Sequence, residues 1–408
     1  MKRNPCVMWL CAVAFYVYTY IMRSSVANVL NAELIEYFHS DAVGIANLVG
    51  CYYIPYALMP IPVGIIFDKY GVRQTSIWAS AFCVLGFLIF LMTDKYLVAM
   101  CGQMILGIAS SFAFILMLKV ATTWFHADKI ALLSSIGCSI GLMGPMIANP
   151  TLAALSQHYS WRIVLFAFAG IGIMLCLAVA CCMHDCENSV ADDAQHVSFH
   201  KILTLLYRKD LLLIGVYSMC IYASVIVFCD VWGITFLSEK YCYTTLEASC
   251  ALIYVYVGSI VGAPLCAFLS HKFAYARILL IGAIGVSTSL LIINFCLVSH
   301  DILPFALFVF GIFLAFQVLV FPFAISLCPP SVSASASGIV NMLTSFAGMF
   351  LEPLFGFCLQ KTVTSRDVQA VYNWDAGFVM LICAALIALF LAMRLCSTAR
   401  QLEKTISA

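Results

Sequence analysis

Charge is what this 408-residue chain has least of: 10% of its residues are charged, against 64% that are apolar. A single soluble globule of this length could not keep so much apolar surface from water, so that class is excluded and lipid is the expected solvent. The charges that exist are nearly balanced, 20 basic and 19 acidic, which leaves nothing to attract nucleic acid or another polyanion. No N-x-S/T sequon occurs and the connections are short, a combination that suits a bacterial cytoplasmic membrane. Neither a clustered nucleophile, metal or acid-base set nor a continuous polar pore is visible, which argues against a membrane enzyme and against a channel. The twenty cysteines form no framework of pairs, because most lie inside apolar runs where a thiol behaves as a small hydrophobe. One local cluster, Cys181, Cys182, His184, Asp185 and Cys186, has metal-ligand residue types but no second ligand group at a defined spacing. No metal and no cofactor are expected.

What the chain does have is long apolar runs. A spanning helix needs roughly 20 mainly apolar residues. Such windows fall near 7 to 31, 42 to 67, 74 to 93, 96 to 123, 131 to 156 and 161 to 183, then near 211 to 238, 246 to 270, 277 to 298, 303 to 328, 332 to 360 and 374 to 396. The pattern predicts an all-α integral membrane protein of 12 transmembrane helices. It also predicts two equal parts, a six-helix bundle over 1–183 and another over 211–408, joined by a cytoplasmic linker at 184–210 that carries Asp185, Glu187, Asp192, Asp193, Lys201, Arg208 and Lys209. The first apolar stretch imitates a secretory signal, but it runs to about Leu30 and contains Arg23, so it reads as an uncleaved first helix. With the N-terminus inside, thirteen of the twenty basic residues fall on the inner side and five on the outer, which predicts that both termini are cytoplasmic.

Between spans two and three the chain reads Gly64-Ile-Ile-Phe-Asp68-Lys69-Tyr-Gly71-Val-Arg73. This resembles the G-x-x-x-D-R-x-G-x-R loop of the major facilitator superfamily, with Lys69 where arginine is usual. Span five contains Gly137, Gly141, Gly144 and Pro145, similar to the superfamily's fifth-helix motif, although small residues on a helix face also serve ordinary packing. Span four follows the superfamily's R-x-x-x-G pattern from Gln103 to Gly107, with Gln103 at the arginine position, which speaks against proton antiport of the drug-efflux type. Shorter strings, among them Tyr18-Thr-Tyr20-Ile-Met-Arg23-Ser24, Trp161-Arg162 and Glu352-Pro353, resemble the bacterial branch that includes phagosomal nutrient transporters. The resemblance implies two pseudo-symmetric six-helix bundles and alternating access around a midplane site. It also makes Asp68 a gate residue, with Gly64, Lys69, Gly71, Arg73, Gly141 and Pro145 around the gate. An acid at a helix end can bond a neighbouring helix N-terminus in one state and release it in the other. The matching loop of the second half, Gly262 to Arg277, has His271 where the acid would stand.

An ionised side chain near the middle of a spanning helix costs roughly 2.5 to 3.5 kcal/mol on insertion scales, so Arg23, Lys119, Asp230 and Glu352 each need a reason. Arg23, Asp230 and Glu352 lie at similar depths, about 12 Å below one surface at 1.5 Å per residue. Spans one and seven hold matching positions in this fold, so Arg23 suits a substrate carboxylate, while Asp230 or Glu352 suits a substrate ammonium or a coupling proton. An interhelical ion pair that only holds the bundle is the alternative. Lys119 sits near a helix end, where it can snorkel to the headgroups or face a cavity. Tyr20, three residues before Arg23, shares its helical face, and Gln317 and Asn341 are neutral binding candidates. Further tyrosines, from Tyr16 to Tyr256, suit a solute with apolar and polar parts. The expected function is proton-coupled uptake of an amino acid or small peptide by a functional monomer. Nucleosides, organic anions, facilitated diffusion and a transport-dead sensor remain open.

Overall fold

In a computed structural model the chain is all-α, with no strand among the described residues, which are 4–185, 205, 207–296, 298–329, 332–360 and 372–407. Most of the expected linker, including Cys186, Glu187, Asp192, Asp193 and Lys201, lies outside them, as do Lys361 and Arg366. Among the described residues eleven helices are long and apolar enough to cross a bilayer, and the second crossing is built from two shorter helices. Contacts divide the chain into two compact units, Met1–Ser40 with Asn47–Ala194 and Asp41–Ala46 with Gln195–Ala408.

In the first unit, α1 (Pro5–Val29) starts where the Asn4 side chain accepts the backbone N–H of Cys6 and Pro5 takes the first helical position, where no donor is needed. A short α2 (Asn31–Tyr37) follows. The second crossing is α3 (Ala42–Leu58) and then α4 (Pro60–Tyr70), not the single helix expected. Pro60 lacks an N–H and its ring would meet the carbonyl one turn back, so the helix restarts there. The unit continues with α5 (Val72–Met92), α6 (Tyr96–Trp124), α7 (Ala127–Ser156) and α8 (Trp161–Cys182). α1 packs on α6, α7 and α8, and α5 packs on α6 and α8.

The second unit begins with a crossing of three pieces: α9 (Lys209–Ser224), a π-helical stretch over Val225–Trp232, and α10 (Gly233–Tyr241). α11 (Thr245–Ser270) opens with a capping box, in which Thr244 and Glu247 satisfy each other's backbone N–H groups. After α12 (Tyr275–Phe295), the tenth crossing is α13 (Leu303–Ala315), a 3₁₀ turn over Phe316–Leu319 and α14 (Val320–Ser326). The eleventh is α15 (Ser333–Phe346), a second π-helical stretch over Ala347–Leu351 and α16 (Glu352–Leu359), and the last is α17 (Trp374–Ser407).

Close backbone approach at glycine recurs in both units. A Cβ on Gly107 of α6 would collide with the Tyr52 carbonyl oxygen of α3, and a Cβ on Gly311 of α13 would collide with the Val255 carbonyl oxygen of α11. Small residues of this kind let membrane helices pack without a hydrophobic driving force between them. Large apolar side chains such as Met174, Leu177, Phe305 and Phe357 are exposed, as lipid-facing residues are.

Candidate functional site

The second unit buries two acids on irregular helix. Asp230 lies within the first π-helical stretch, Glu352 directly follows the second, and the two stretches pack against each other. Both side chains are 0% exposed. A π turn shifts the hydrogen bonds from four to five residues apart and so frees backbone groups. Within the first stretch the Cys229 carbonyl accepts a hydrogen bond from the Tyr256 hydroxyl at 3.0 Å. Glu352 Oε1 accepts from the indole Nε1 of Trp232 at 2.7 Å, while Oε2 has no hydrogen-bond partner among the described residues. Asp230 lies within Coulombic range of the Glu352 carboxyl.

Aromatic rings surround Trp232, the donor to Glu352. The Trp232 ring lies 6.2 Å from Phe355, 5.7 Å from Tyr372 and 6.4 Å from Trp374 between centroids. Trp374 is held in turn, its Nε1 donating to Glu239 Oε2 at 2.9 Å. Beside it Lys240 pairs with Asp375 at 3.3 Å and donates to Asn294 Oδ1 at 2.8 Å.

Gln317 and Asn341 belong to a different layer of the same unit. Gln317 Nε2 donates to Ser218 Oγ at 2.5 Å, and Ser218 Oγ lies 2.5 Å from Thr344 Oγ1, which donates to the Val340 carbonyl at 2.7 Å. Asn341 is half-buried one turn before Thr344. Eight residues separate Thr344 from Glu352 on the eleventh crossing, about 12 Å at 1.5 Å per residue. The structure thus brings Asp230 and Glu352 together and leaves Gln317 and Asn341 a level away.

In the first unit Arg23 is 5% exposed and clasped by aromatic rings. Its guanidinium carbon stands 4.0 Å from the Tyr20 ring centroid and 5.8 Å from that of Tyr53, so the face shared by Tyr20 and Arg23 on α1 is used as a cation-π contact. Tyr53 belongs to a cluster with Tyr52 and Tyr56, in which the Tyr52 ring lies 5.1 Å from that of Tyr53 and 5.6 Å from that of Tyr56. On α6, Gln103 is buried and Lys119 is half-buried one turn and a half from the helix end. On α7, Pro145 is buried, and a Cβ on Gly141 would collide with the Tyr16 ring of α1.

At the loop between the second and third crossings the Asp68 side chain lies outside the described residues, so its gate role finds no test there. Gly64 has no heavy atom within 4 Å of where a Cβ would stand. Lys69 is exposed, its Nζ 5.2 Å from the Tyr70 ring centroid. Gly71, by contrast, is doubly constrained: its φ is +79°, a left-handed value that penalises a side chain, and a Cβ would stand 2.5 Å from Asp185 Oδ1. That Asp185 oxygen accepts the backbone N–H of Arg73 at 2.9 Å. The acid seen at the N-terminus of α5 therefore comes from the exit of α8, where it also complements the helix dipole. In the second unit His271 and Lys272 are exposed.

A family model described as Major Facilitator Superfamily matches residues 10–352. The chain belongs to this superfamily. Human choline/ethanolamine transporter FLVCR2 is 24% identical over 183 residues, a match covering 42% of this chain and 34% of the human protein. The chain thus matches about a third of that relative's length. A Danio rerio protein, choline/ethanolamine transporter flvcr2b, is 23% identical over 386 residues, covering 86% of this chain and 77% of the relative. Among solved structures, that of the nucleoside transporter NupG superposes with a TM-score of 0.74 at 14% identity, covering 95% of this chain and 98% of NupG. At that identity the likeness shows the fold alone, that of a multi-pass major facilitator protein.

Two residues of this major facilitator chain escaped sequence reasoning. Trp232 stands two positions from Asp230, and a buried indole N–H needs an acceptor, so a tryptophan beside an intramembrane acid was the available signal. Asp185 was visible as a member of the Cys/His/Asp cluster and as one of the linker charges; its position just past a helix end carried no hint of which helix it would cap.

Proposed function

We propose that the chain takes up a small ammonium-bearing nutrient, an amino acid or short peptide first, in symport with a proton held on Asp230 or Glu352. The observation that carries this reading is the pair of fully buried carboxyls on two packed π-helical stretches, with one Glu352 oxygen held by Trp232 and the other without a hydrogen bond among the described residues. An acid kept in an apolar span at such cost earns its place by exchanging a proton or holding a cation. Arg23 of the first unit is the candidate for the nutrient's carboxylate, because a guanidinium offers a planar fork of donors. Uptake would run across a bacterial cytoplasmic membrane, with both termini on the cytoplasmic side and the protein acting as a monomer.

A second reading is an organic ammonium compound without a carboxylate. It is favoured by the choline and ethanolamine transport for which the FLVCR2 relatives are named and by the aromatic rings around Trp232, since ring faces attract alkylammonium groups.

Uptake into proteoliposomes, with and without an inward proton gradient, separates these readings. Amino-acid entry that needs the gradient, is lost in Arg23→Ala and becomes gradient-independent in Asp230→Asn or Glu352→Gln supports symport. Entry of choline or ethanolamine with Arg23→Ala unaffected supports the second reading. Uridine as the sole solute taken up refutes both, and no uptake of any solute favours a sensor on the same fold.

A further inference from the structure

Hydroxyls inside these spans commonly bond back to their own helix: Ser80 to Ser76 at 2.9 Å, Ser110 to Leu106 at 2.7 Å, Ser111 to Ile108 at 2.6 Å and Ser287 to Ala283 at 2.8 Å. Ser24 and Ser25 of α1 do not. Both are 0% exposed, and neither Oγ has a hydrogen-bond partner among the described residues. Asn149 of α7 is likewise 0% exposed, and neither its amide oxygen nor its amide nitrogen is bonded. A buried polar atom left unpaired is destabilising, so four of them in one region require a purpose.

The packing of α1 on α7 puts these atoms at one level. A Cβ on Gly141 would meet the Tyr16 ring, and one on Gly144 would lie 3.1 Å from the Val17 carbonyl oxygen and 3.2 Å from Ile21 Cγ1, so the two helices run parallel. Both rise about 1.5 Å per residue, which brings Asn149, five residues beyond Gly144, level with residues 22–26 of α1. Ser24 follows Val17 and Ile21 on the face turned to α7 by the i, i+4, i+7 repeat. Ala148, Leu152 and Ala153 beside Asn149 are buried, so the amide does not face lipid.

We infer that Ser24, Ser25 and Asn149 form a neutral solute-reading site in the first unit, one that takes a hydroxyl, carbonyl or amide group of the transported molecule. Two hydroxyls and one amide supply donors and acceptors but no charge, so they suit the uncharged polar part of a solute and not its ionic ends. Arg23 is the next residue in the chain, which places an anion-binding group beside them. Resting on the uptake reading above, this narrows the substrate to amino acids with a hydroxyl or amide side chain.

Paired solutes test the site: threonine against valine, asparagine against leucine, and uridine against dideoxyuridine, each measured by uptake and by the shift in melting temperature of the detergent-purified protein. Wild type is expected to favour the polar member of at least one pair by about tenfold or more, because buried polar groups reject an analogue that leaves them unpaired. In Asn149→Leu and in the double variant Ser24→Ala with Ser25→Ala the ratio falls to near one. If amino acids fail and the uridine pair discriminates, the amino-acid reading falls while the site stands. Wild type that distinguishes no pair, by uptake or by melting shift, or a preference that survives Asn149→Leu, overturns the inference and leaves buried water as the occupant. Without solute, Asn149→Leu should melt at or above the wild-type temperature, since it removes two unpaired buried atoms. A clear fall would mean that Asn149 is bonded within the fold, and would also overturn it.

Discussion

The two units accommodate buried charge in opposite ways. In the first unit a cation, Arg23, lies over the ring of Tyr20 on an unbroken α1 and is approached by Tyr53. In the second, the anions Asp230 and Glu352 sit where two helices change to π geometry, and an indole N–H reaches across to one of them. The difference follows from what apolar helices can offer. Ring faces carry partial negative charge and are plentiful in a chain with 19 tyrosines and 30 phenylalanines, so a cation needs no rearranged backbone. A carboxylate needs N–H or O–H donors, which are scarce in apolar spans, and irregular backbone is tolerated there only where other protein groups satisfy it, as Tyr256 does for Cys229.

The comparison breaks most visibly at the acids. Glu352→Gln should abolish gradient-driven accumulation while leaving downhill exchange, and accumulation unchanged in proteoliposomes would remove the acids from coupling. Trp232→Phe keeps the ring and deletes the N–H. It should cost about 2 kcal/mol of stability in detergent unfolding, as expected for a buried hydrogen bond to a carboxyl, and a cost near zero would show that Glu352 finds another donor. The cationic side should be softer. Tyr20→Leu removes one ring face from Arg23 and should weaken solute binding about fivefold, roughly 1 kcal/mol for a cation-π contact, as measured by equilibrium binding. The smallest effect is at the helix end: Asp185→Ala should cost about 0.5 kcal/mol by loss of a favourable charge at the α5 N-terminus, read from the melting temperature. Gly71→Ala should cost more than Asp185→Ala, because it combines a left-handed backbone with the crowding of Asp185; equal costs would mean that Asp185 simply moves aside.

Apolar run length was enough to read the crossings, because burial in lipid is decided by local composition over about 20 residues. It missed the break at Pro60 within the second crossing, where a local backbone rule outweighed a continuous apolar window. Tyr20 beside Arg23 was also legible, since residues three apart share a helix face whatever surrounds them. Gln317 stood out only as a neutral binding candidate, and the structure joins it to Ser218 and Thr344 in a layer apart from the acids, because a polar residue type in a span says nothing about which neighbour it meets.

The sequence by itself therefore determined the bilayer as solvent, the crossings, the few intramembrane charges and the glycine turn before α5. Only the tertiary structure decided that Trp232 holds Glu352 from 120 residues away, that Asp185 caps α5, and that the seventh and eleventh crossings turn π-helical beside their acids. The first set rests on periodicity and composition within a window of a few turns. The second rests on contacts between distant segments, where several partners of equal chemistry compete and packing selects one.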